Sequence, residues 1–145
     1  MVTRARQGRV VRAFGDEVEF LLEGKHNGGA FCSFTVTTAP GGGPPPHYHE
    51  REDEWFHILE GNVSFYVNGG WLEAVPGDTV FAPKNGVHAF RNNSDQPTRM
   101  LVHAAPAGFE DFFDEAAAEF AKPGGPDMAA AVAIAGKHGV RFVDG

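Results

Sequence analysis

Short runs in which apolar and polar residues alternate occupy the first two thirds of the chain. Such alternation is typical of strands with one buried face, because successive side chains of a strand point to opposite sides. It predicts strands over residues 17–22, 30–38, 62–67, 71–75, 79–82, 87–92 and 98–105. Turns rich in glycine, proline and asparagine separate these runs, among them the hairpin turn Asn68-Gly69-Gly70. The pattern therefore predicts an all-β barrel or sandwich.

The apolar pattern changes period after residue 106. Phenylalanine and alanine recur at helical spacing over residues 109–120. Glu110 and Asp111 suit the positive end of the helix dipole. The proline and glycine residues at 123–126 are predicted to end this helix.

A second helix is predicted from residue 126 to about 137, and residues 140–143 then have room to form a closing strand. Neither a repeat nor a low-complexity linker divides the sequence, so we predict one domain over residues 1–145. Its parts are a barrel over about 17–105 and a helical tail over about 108–138 that docks on the barrel as a lid or brace.

Length and composition agree with one compact unit. The chain has 145 residues, of which 42% are hydrophobic. A net charge of −7 argues against a nucleic-acid partner, because nucleic-acid binding needs clustered Lys and Arg. One cysteine, Cys32, excludes an intramolecular disulfide. The N-terminal residues lack the apolar core of a signal peptide, and no run reaches membrane-spanning length, so we expect a cytoplasmic protein without a membrane partner.

Two histidines separated by one residue give the first indication of chemistry. His47 and His49 share one face if they lie in a strand, and the charged segment 50–53 lets the chain turn before a second strand that begins at Glu54. That carboxylate could then be a third ligand for one ion. Imidazole and carboxylate together suit a borderline transition metal such as zinc, iron, manganese or nickel. The spacing therefore predicts a metal site.

A second segment, residues 76–92, contains a Gly-Asp turn, an apolar run, a Pro-Lys-Asn-Gly turn and then His88. Together the two segments resemble the paired motifs of the cupin superfamily. The first motif, G-x5-H-x-H-x4-E-x6-G, is matched by Gly41, His47, His49, Glu54 and Gly61. The second, G-x5-P-x-G-x2-H-x3-N, is matched by Gly77, Pro83, His88 and Asn92, with Asn85 in place of the middle glycine. Asparagine tolerates a left-handed backbone, so we expect this turn to be kept.

The resemblance implies a cupin double-stranded β-helix, which is a jelly-roll barrel, with one or two C-terminal helices. It also implies one divalent metal ion inside the barrel, held by His47, His49, Glu54 and His88. Zinc is the favoured ion, and iron, manganese or nickel suit the same ligands. Whether Glu54 stays bound if another histidine joins the ion is left open.

Strand parity separates the residues that follow Glu54. If Glu54 points at the metal, His57 points outward, together with the apolar residues Trp55 and Leu59. These outward residues need a cover from the tail, the second sheet or another subunit. By resemblance to small cupins, we expect that cover to come from a homodimer.

His103 is the candidate catalytic base. Its strand is expected to run antiparallel to the strand of His88, with His103 roughly opposite His88. Facing inward, His103 would be a further ligand or a base beside the metal. Facing outward, it would be structural, and a register shift of one residue decides between the two.

The predicted barrel interior is apolar. Its candidate lining residues are Phe34, Val36, Phe56, Ile58, Phe81, Phe90 and Val102. Thirteen phenylalanines in a chain of this length could line a dry pocket for a flat or aromatic ligand, or they could pack as a core. The sequence leaves both alternatives open.

Three function classes follow from a mononuclear metal site with open positions. A non-redox enzyme uses the ion as a Lewis acid, a quercetinase-like Fe(II) dioxygenase uses it to bind O2, and a non-catalytic cupin only binds a ligand. The chain, including its tail segment 106–113, resembles the cupin cyclases of aromatic polyketide biosynthesis, the tetracenomycin and resistomycin type. Quercetinase-like cupins share that tail segment, which keeps the dioxygenase as the alternative.

The cyclase resemblance implies a substrate, a partner and a reaction. The substrate is a poly-β-ketone presented by an acyl carrier protein, and the reaction is an intramolecular aldol condensation followed by loss of water in antibiotic biosynthesis. A metal ion stabilises the charge that develops on a ketone oxygen, and His103 could take the proton. No oxidation state changes, so zinc suffices.

Overall fold

Within residues 1–143, which the computed structural model describes, eleven strands, two α-helices and one short 3-10 helix are formed. The strands are β1 (Arg9–Ala13), β2 (Asp16–Leu22), β3 (Cys32–Thr38), β4 (His47–His49), β5 (Asp53–Glu60), β6 (Val63–Val67), β7 (Gly70–Ala74), β8 (Thr79–Ala82), β9 (Ala89–Arg91), β10 (Thr98–Ala105) and β11 (Val140–Phe142). The helices are α1 (Phe109–Phe120) and α2 (Met128–Lys137), and the 3-10 helix is Gly24–His26. Over the described part of the chain, no helix has the length and apolar character needed to cross a bilayer.

Two antiparallel sheets pack face to face. The larger sheet has the strand order β1-β2-β3-β10-β5-β8, and the smaller sheet has the order β7-β6-β9. One apolar core lies between them, and it includes Phe34 and Phe56 from the larger sheet and Phe65 from the smaller one. Strands β4 and β11 form a separate two-stranded sheet. An isolated bridge between His47 of β4 and His88 links this sheet to the segment just before β9. The all-β jelly roll with C-terminal helices is confirmed.

Alternation along the strands decides which side chains reach the core. In β5, Phe56 and Ile58 are buried, whereas Trp55 and His57 on the other face are partly exposed. In β10, the buried positions are every second residue from Thr98, so the side chains there also divide between two faces. The predicted parity of β5 is confirmed.

The C-terminal tail covers one end of the barrel. Phe109 and Phe113 of α1 pack into the main core, and Phe112 joins a second apolar cluster with residues of α2 and β11. The chain after α2 returns as β11 and pairs with β4, the strand that carries His47 and His49. The second helix and the closing strand are confirmed, and the tail reaches the predicted metal ligands.

Two expectations about the barrel are corrected. Strand β1 precedes the predicted barrel start at residue 17. It was missed because its apolar residues Val10, Val11 and Ala13 do not alternate regularly with polar ones, although Val11 and Ala13 pack against the apolar clusters. Phe81 was expected inside the barrel but is 56% exposed. In β8 it is Val80 and Ala82 that face the core, which turns Phe81 outward.

Candidate metal centre

Three buried histidines from two distant segments come together at the end of the barrel that the tail covers. His47 and His49 lie on the same face of β4, while Tyr48 between them points away. His88 comes from the turn before β9. Its amide donates to the carbonyl oxygen of His47 at 2.9 Å, and the amide of His47 donates to the carbonyl oxygen of His88 at 3.0 Å. Backbone pairing therefore places these side chains side by side.

The donor atoms of these side chains converge. One ring nitrogen from each of His47, His49 and His88 lies within 4.8 Å of the others. Oε1 of Glu54 lies 3.2 Å from Nε2 of His88 and 3.4 Å from Nε2 of His49. All four side chains are buried, with His88 only 1% exposed. The structure thus brings together all four residues that the motifs suggested as metal ligands.

Backbone carbonyls orient two of the three rings. Nδ1 of His47 donates to the carbonyl oxygen of Pro45 at 2.8 Å, and Nδ1 of His88 donates to that of Gly86 at 3.0 Å. In His47 the proton held at Nδ1 leaves the lone pair on Nε2. Nε2 of His88 lies 3.2 Å from Oε1 of Glu54 and carries a second proton when it donates to that carboxylate. The ring nitrogens of His49 are different, because both are buried without a hydrogen-bond partner within the described residues.

Burial and mutual proximity shape the electrostatics of the cluster. Burial, with the neighbouring imidazoles of His88 and His49, lowers the pKa of His47 to about 3. For Glu54, burial acts to raise the carboxyl pKa, but the adjacent imidazoles outweigh it and the pKa is lowered. For His88, burial acts to lower the pKa, and the hydrogen bond to Glu54 outweighs it. The site therefore favours an ionised carboxylate among the imidazoles.

The donor set fits a divalent transition metal ion. Three imidazole nitrogens and one carboxylate oxygen suit zinc, iron, manganese or nickel, whereas calcium and magnesium prefer all-oxygen sites. Nε2 of His49 is a buried polar atom that makes no hydrogen bond within residues 1–143, and a metal ion would satisfy it. Glu52 lies behind this ring, with Oε2 3.8 Å from Nδ1 of His49. Burial raises the pKa of the Glu52 carboxyl, and His49 opposes that rise.

A small apolar cavity adjoins the cluster. Its volume is about 60 Å³, which is room for a few water molecules. Side chains of the barrel and of the tail line it, including Phe34, Phe56, Phe90, Phe109, Phe113 and Phe142. Phe34, Phe56 and Phe90 are packed in the core and also line this cavity, which is smaller than a flat aromatic ligand. Of the two alternatives left open by the sequence, core packing therefore describes this structure.

Asp16 is a functional candidate that sequence reasoning missed. Apart from the metal-site residues, it is the one titratable side chain on the cavity wall among residues 1–143. It is buried, accepts a hydrogen bond from Oγ1 of Thr38 at 2.7 Å, and burial raises its carboxyl pKa to about 7. An acidic residue at the start of a strand is common, so the sequence pattern does not distinguish Asp16 from other surface acids. Asp16 shares the cavity wall with Phe112 and Phe142 of the tail, and no local pattern reveals that neighbourhood.

His103 does not lie at the metal centre, and its assignment as a base beside the ion is corrected. Strand β10 pairs with β3 and β5, so His103 is opposite Ser33 and Trp55 on the outer face of the larger sheet. Nδ1 of His103 is 2.5 Å from Oγ of Ser33, and its ring stacks on Trp55 at 5.3 Å. The core face of β10 belongs to its even-numbered residues. His57 lies on the same outer face, as predicted.

Comparison with known proteins agrees with this geometry. The cupin domain family matches residues 34–104, a stretch that contains all four candidate ligands. The chain belongs to the cupin superfamily. Asp16 and the tail lie outside the matched stretch.

Individual relatives of this cupin have different activities. It is 32% identical over 100 residues to quercetin 2,3-dioxygenase of Bacillus subtilis, an alignment that covers 68% of this chain and 29% of that protein. It is 25% identical over 71 residues to the tetracenomycin polyketide synthase protein TcmJ of Streptomyces glaucescens, covering 49% and 48% of the two chains. The crystal structure of the polyketide cyclase RemF of Streptomyces resistomycificus superposes with a TM-score of 0.61 at 28% identity, covering 72% of this cupin and 80% of RemF. This cupin therefore spans less than half of the two curated relatives.

Proposed function

We propose that this cupin is a metal-dependent polyketide cyclase of aromatic polyketide antibiotic biosynthesis. It closes a ring in a poly-β-ketone by intramolecular aldol addition followed by loss of water. The observation that carries the proposal is the buried convergence of His47, His49, Glu54 and His88 beside a phenylalanine-lined cavity. The similarity to RemF, a polyketide cyclase, supports the choice of reaction.

Zinc is the proposed resident ion, held by the three histidines and Glu54. When bound there, it supplies a Lewis acid that polarises a ketone carbonyl of the substrate. The reaction needs no change of oxidation state, so a redox-inert ion suffices.

Asp16 replaces His103 as the proposed proton-transfer group. Its carboxylate takes a proton from the acidic CH2 between two ketones, and the resulting carbon nucleophile attacks a second ketone carbon of the same chain to form the new C–C bond. The proton returns to the new alkoxide oxygen. Loss of that hydroxyl with a neighbouring C–H proton then releases one water molecule. A carboxyl pKa of about 7 suits both proton acceptance and donation near neutral pH.

Aromatic side chains provide the shape of the site. Phe56 and Phe90 from the barrel and Phe109 and Phe113 from α1 line the cavity. They exclude water from the reacting carbons and restrict how the chain can fold, which sets which two carbons approach each other.

Substrate entry requires the tail to move. The cavity of about 60 Å³ is much smaller than a poly-β-ketone, and Phe142 of β11 and Phe112 of α1 contribute to its wall on the tail side. Strand β11 is held to β4 by only three residue pairs. We propose that an acyl carrier protein presents the substrate at this end and that β11 is displaced as the substrate enters.

The alternative is a quercetinase-like dioxygenase. It is favoured by the 32% identity to quercetin 2,3-dioxygenase over 100 residues. The same ligand set can hold Fe(II), which binds O2.

One paired assay distinguishes the two reactions. Zinc-loaded protein is added to a poly-β-ketone that a minimal polyketide synthase makes on its carrier protein, and ring formation is followed by mass spectrometry as loss of one water per ring. Iron-loaded protein is tested with quercetin in an oxygen electrode. Cyclised product that depends on His88 supports the cyclase. Steady, iron-dependent O2 uptake without any change in polyketide products would overturn it.

We also propose that the chain forms a homodimer through the outer aromatic face of the larger sheet. This face comprises Trp55, His57, Leu59, Phe81, Leu101 and His103. None of these six residues is an acid, a lysine or an arginine, so the centre of this face suits contact between two copies related by a two-fold axis, with Asp53 and Arg99 at its ends. Phe81 and Leu59 are exposed within one chain and gain a cover in the dimer.

A further inference from the structure

Glu52 is a buried carboxylate that the ligand motifs do not include. It lies in the turn between β4 and β5 and is 4% exposed, whereas the neighbouring Glu50, Arg51 and Asp53 are exposed. Its Oε2 has no hydrogen-bond partner within the described residues. Burying a carboxylate without a partner costs free energy, so a compensating role for Glu52 is expected.

The ring of His49 lies beside the Glu52 carboxylate. Oε2 of Glu52 and Nδ1 of His49 are 3.8 Å apart, and both atoms are buried without another partner in residues 1–143. A shift of about 1 Å would bring them to hydrogen-bond distance.

His49 needs such a partner because its backbone alternative is already used. In His47 and His88, Nδ1 donates to the carbonyl oxygen two residues earlier, at Pro45 and Gly86. For His49 the carbonyl two residues earlier is that of His47, which accepts the amide of His88 in the bridge between the two motifs. The same bridge that brings the ligands together thus engages the carbonyl that corresponds to those of Pro45 and Gly86, and Nδ1 of His49 makes no hydrogen bond to it within the described residues.

The start of α1 encloses the pair. The ring of Phe109 packs on His49 at 4.7 Å between centroids. A Cβ built on Gly108, the N-cap of α1, would lie 3.9 Å from Oε1 of Glu52. A carboxylate is favoured near the first turn of a helix, and the phenylalanine keeps water away. Glu52 is therefore held between the metal centre and the tail.

We propose that Glu52 is the positioning residue for His49. Its carboxylate accepts a hydrogen bond from Nδ1 of His49, which fixes the tautomer with the lone pair on Nε2 and aims that nitrogen at the ion. This inference rests on the metal binding put forward under the proposed function, but not on the cyclisation reaction. Outer partners of this kind typically change metal affinity by about 10- to 100-fold.

Metal affinity tests the proposal without any substrate. Zn²⁺ binding is measured by chelator competition for the wild type, Glu52→Ala, Glu52→Gln and the matched control Glu50→Gln, whose side chain lies in the same turn but is exposed and pairs with Arg141. We expect about 10- to 100-fold weaker binding for Glu52→Ala and a smaller loss for Glu52→Gln, which keeps an acceptor oxygen. Glu50→Gln should bind like the wild type.

A spectroscopic readout separates positioning from general stability. Nitrogen-15 NMR of the histidine rings should show that Glu52→Ala changes the tautomer of His49 and leaves those of His47 and His88 unchanged. Equal Zn²⁺ affinity in Glu52→Ala and the wild type, with an unchanged His49 tautomer, would overturn the proposal. If Glu52→Ala failed to fold, the same result in Glu52→Met, which fills the site without an acceptor oxygen, would overturn it. A wild-type protein that binds no metal would instead contradict the proposed metal site itself.

Discussion

His47 and His88 exchange two backbone hydrogen bonds, of 3.0 and 2.9 Å, although 41 positions separate them in the chain. This bridge joins the two motifs through backbone atoms alone, and it places both imidazoles at one end of the barrel. The ligands are consequently arranged by the fold, and the ion does not have to assemble them.

Removal of the metal should therefore weaken the protein without unfolding it. With free metal ion at about one hundred times its Kd, bound metal adds about 2.7 kcal/mol to the free energy of unfolding. Chelator-treated protein should keep its β-type circular dichroism and lose about that much stability in urea. Loss of the folded spectrum on chelation would show that the ion builds the fold.

Replacing His88 by alanine should abolish metal binding. The side chain is 1% exposed and its Nε2 lies 3.2 Å from Glu54, so its loss removes a ligand and leaves the buried carboxylate with fewer partners. The metal content should fall from about one ion per chain to near zero, as measured by elemental analysis. His103→Ala is the matched control, because that side chain lies on the outer face, and it should keep full occupancy.

Asp16→Asn should change how stability depends on pH. Burial raises the folded-state carboxyl pKa from its ordinary value of 3.8 to about 7, so the folded state binds the proton more tightly than the unfolded state. The contribution of Asp16 to the free energy of unfolding of the wild type therefore falls as pH rises from about 4 to 7. The total decrease is at most about 4 kcal/mol. Asparagine removes this loss and can still accept the Thr38 hydrogen bond.

Urea unfolding of both proteins at pH 4.5, 6 and 8 measures the effect of Asp16. The stability of Asp16→Asn relative to the wild type should rise with pH across this window, since the other titrating groups are common to both proteins. Glu17→Gln, at the exposed neighbouring position, should follow the wild type. A constant difference between Asp16→Asn and the wild type at all three pH values would show that Asp16 ionises normally.

Phe81→Glu should disrupt the proposed homodimer. The ring is 56% exposed on the outer aromatic face, and a two-fold axis through that face would bring two new carboxylates close together. Light scattering should give about twice the chain mass of 15.6 kDa for the wild type and the single chain mass for the variant. Trp71→Glu, equally exposed but on β7 of the smaller sheet, is the control and should remain dimeric. A monomeric wild type would contradict the proposal.

Local spacing was sufficient to predict much of the site. His47 and His49 share a strand face, and Glu54 shares its face with Phe56 and Ile58, because side chains alternate within a single strand whatever the rest of the fold does. Strand β10 was also predicted with its observed limits.

Apart from the missed strand β1, the failures concern how segments are placed against one another. The face of His103 depends on β10 lying between β3 and β5, and sheet order cannot be read from alternation within one strand. Phe81 stands in the run Thr79–Ala82, where either alternate set could have faced the core. The roles proposed for Asp16 and Glu52 follow from the position of Asp16 on the cavity wall and of Glu52 beside the start of α1, which only the folded chain brings about.

The most direct measurement is a crystal structure of the metal-loaded protein with diffraction data collected on both sides of the absorption edge of the bound metal. We predict a single anomalous peak per chain, enclosed by Nε2 of His49, Nε2 of His88, a ring nitrogen of His47 and a carboxylate oxygen of Glu54. A peak at any other place, or no peak between these side chains in crystals that contain one ion per chain, would contradict the account.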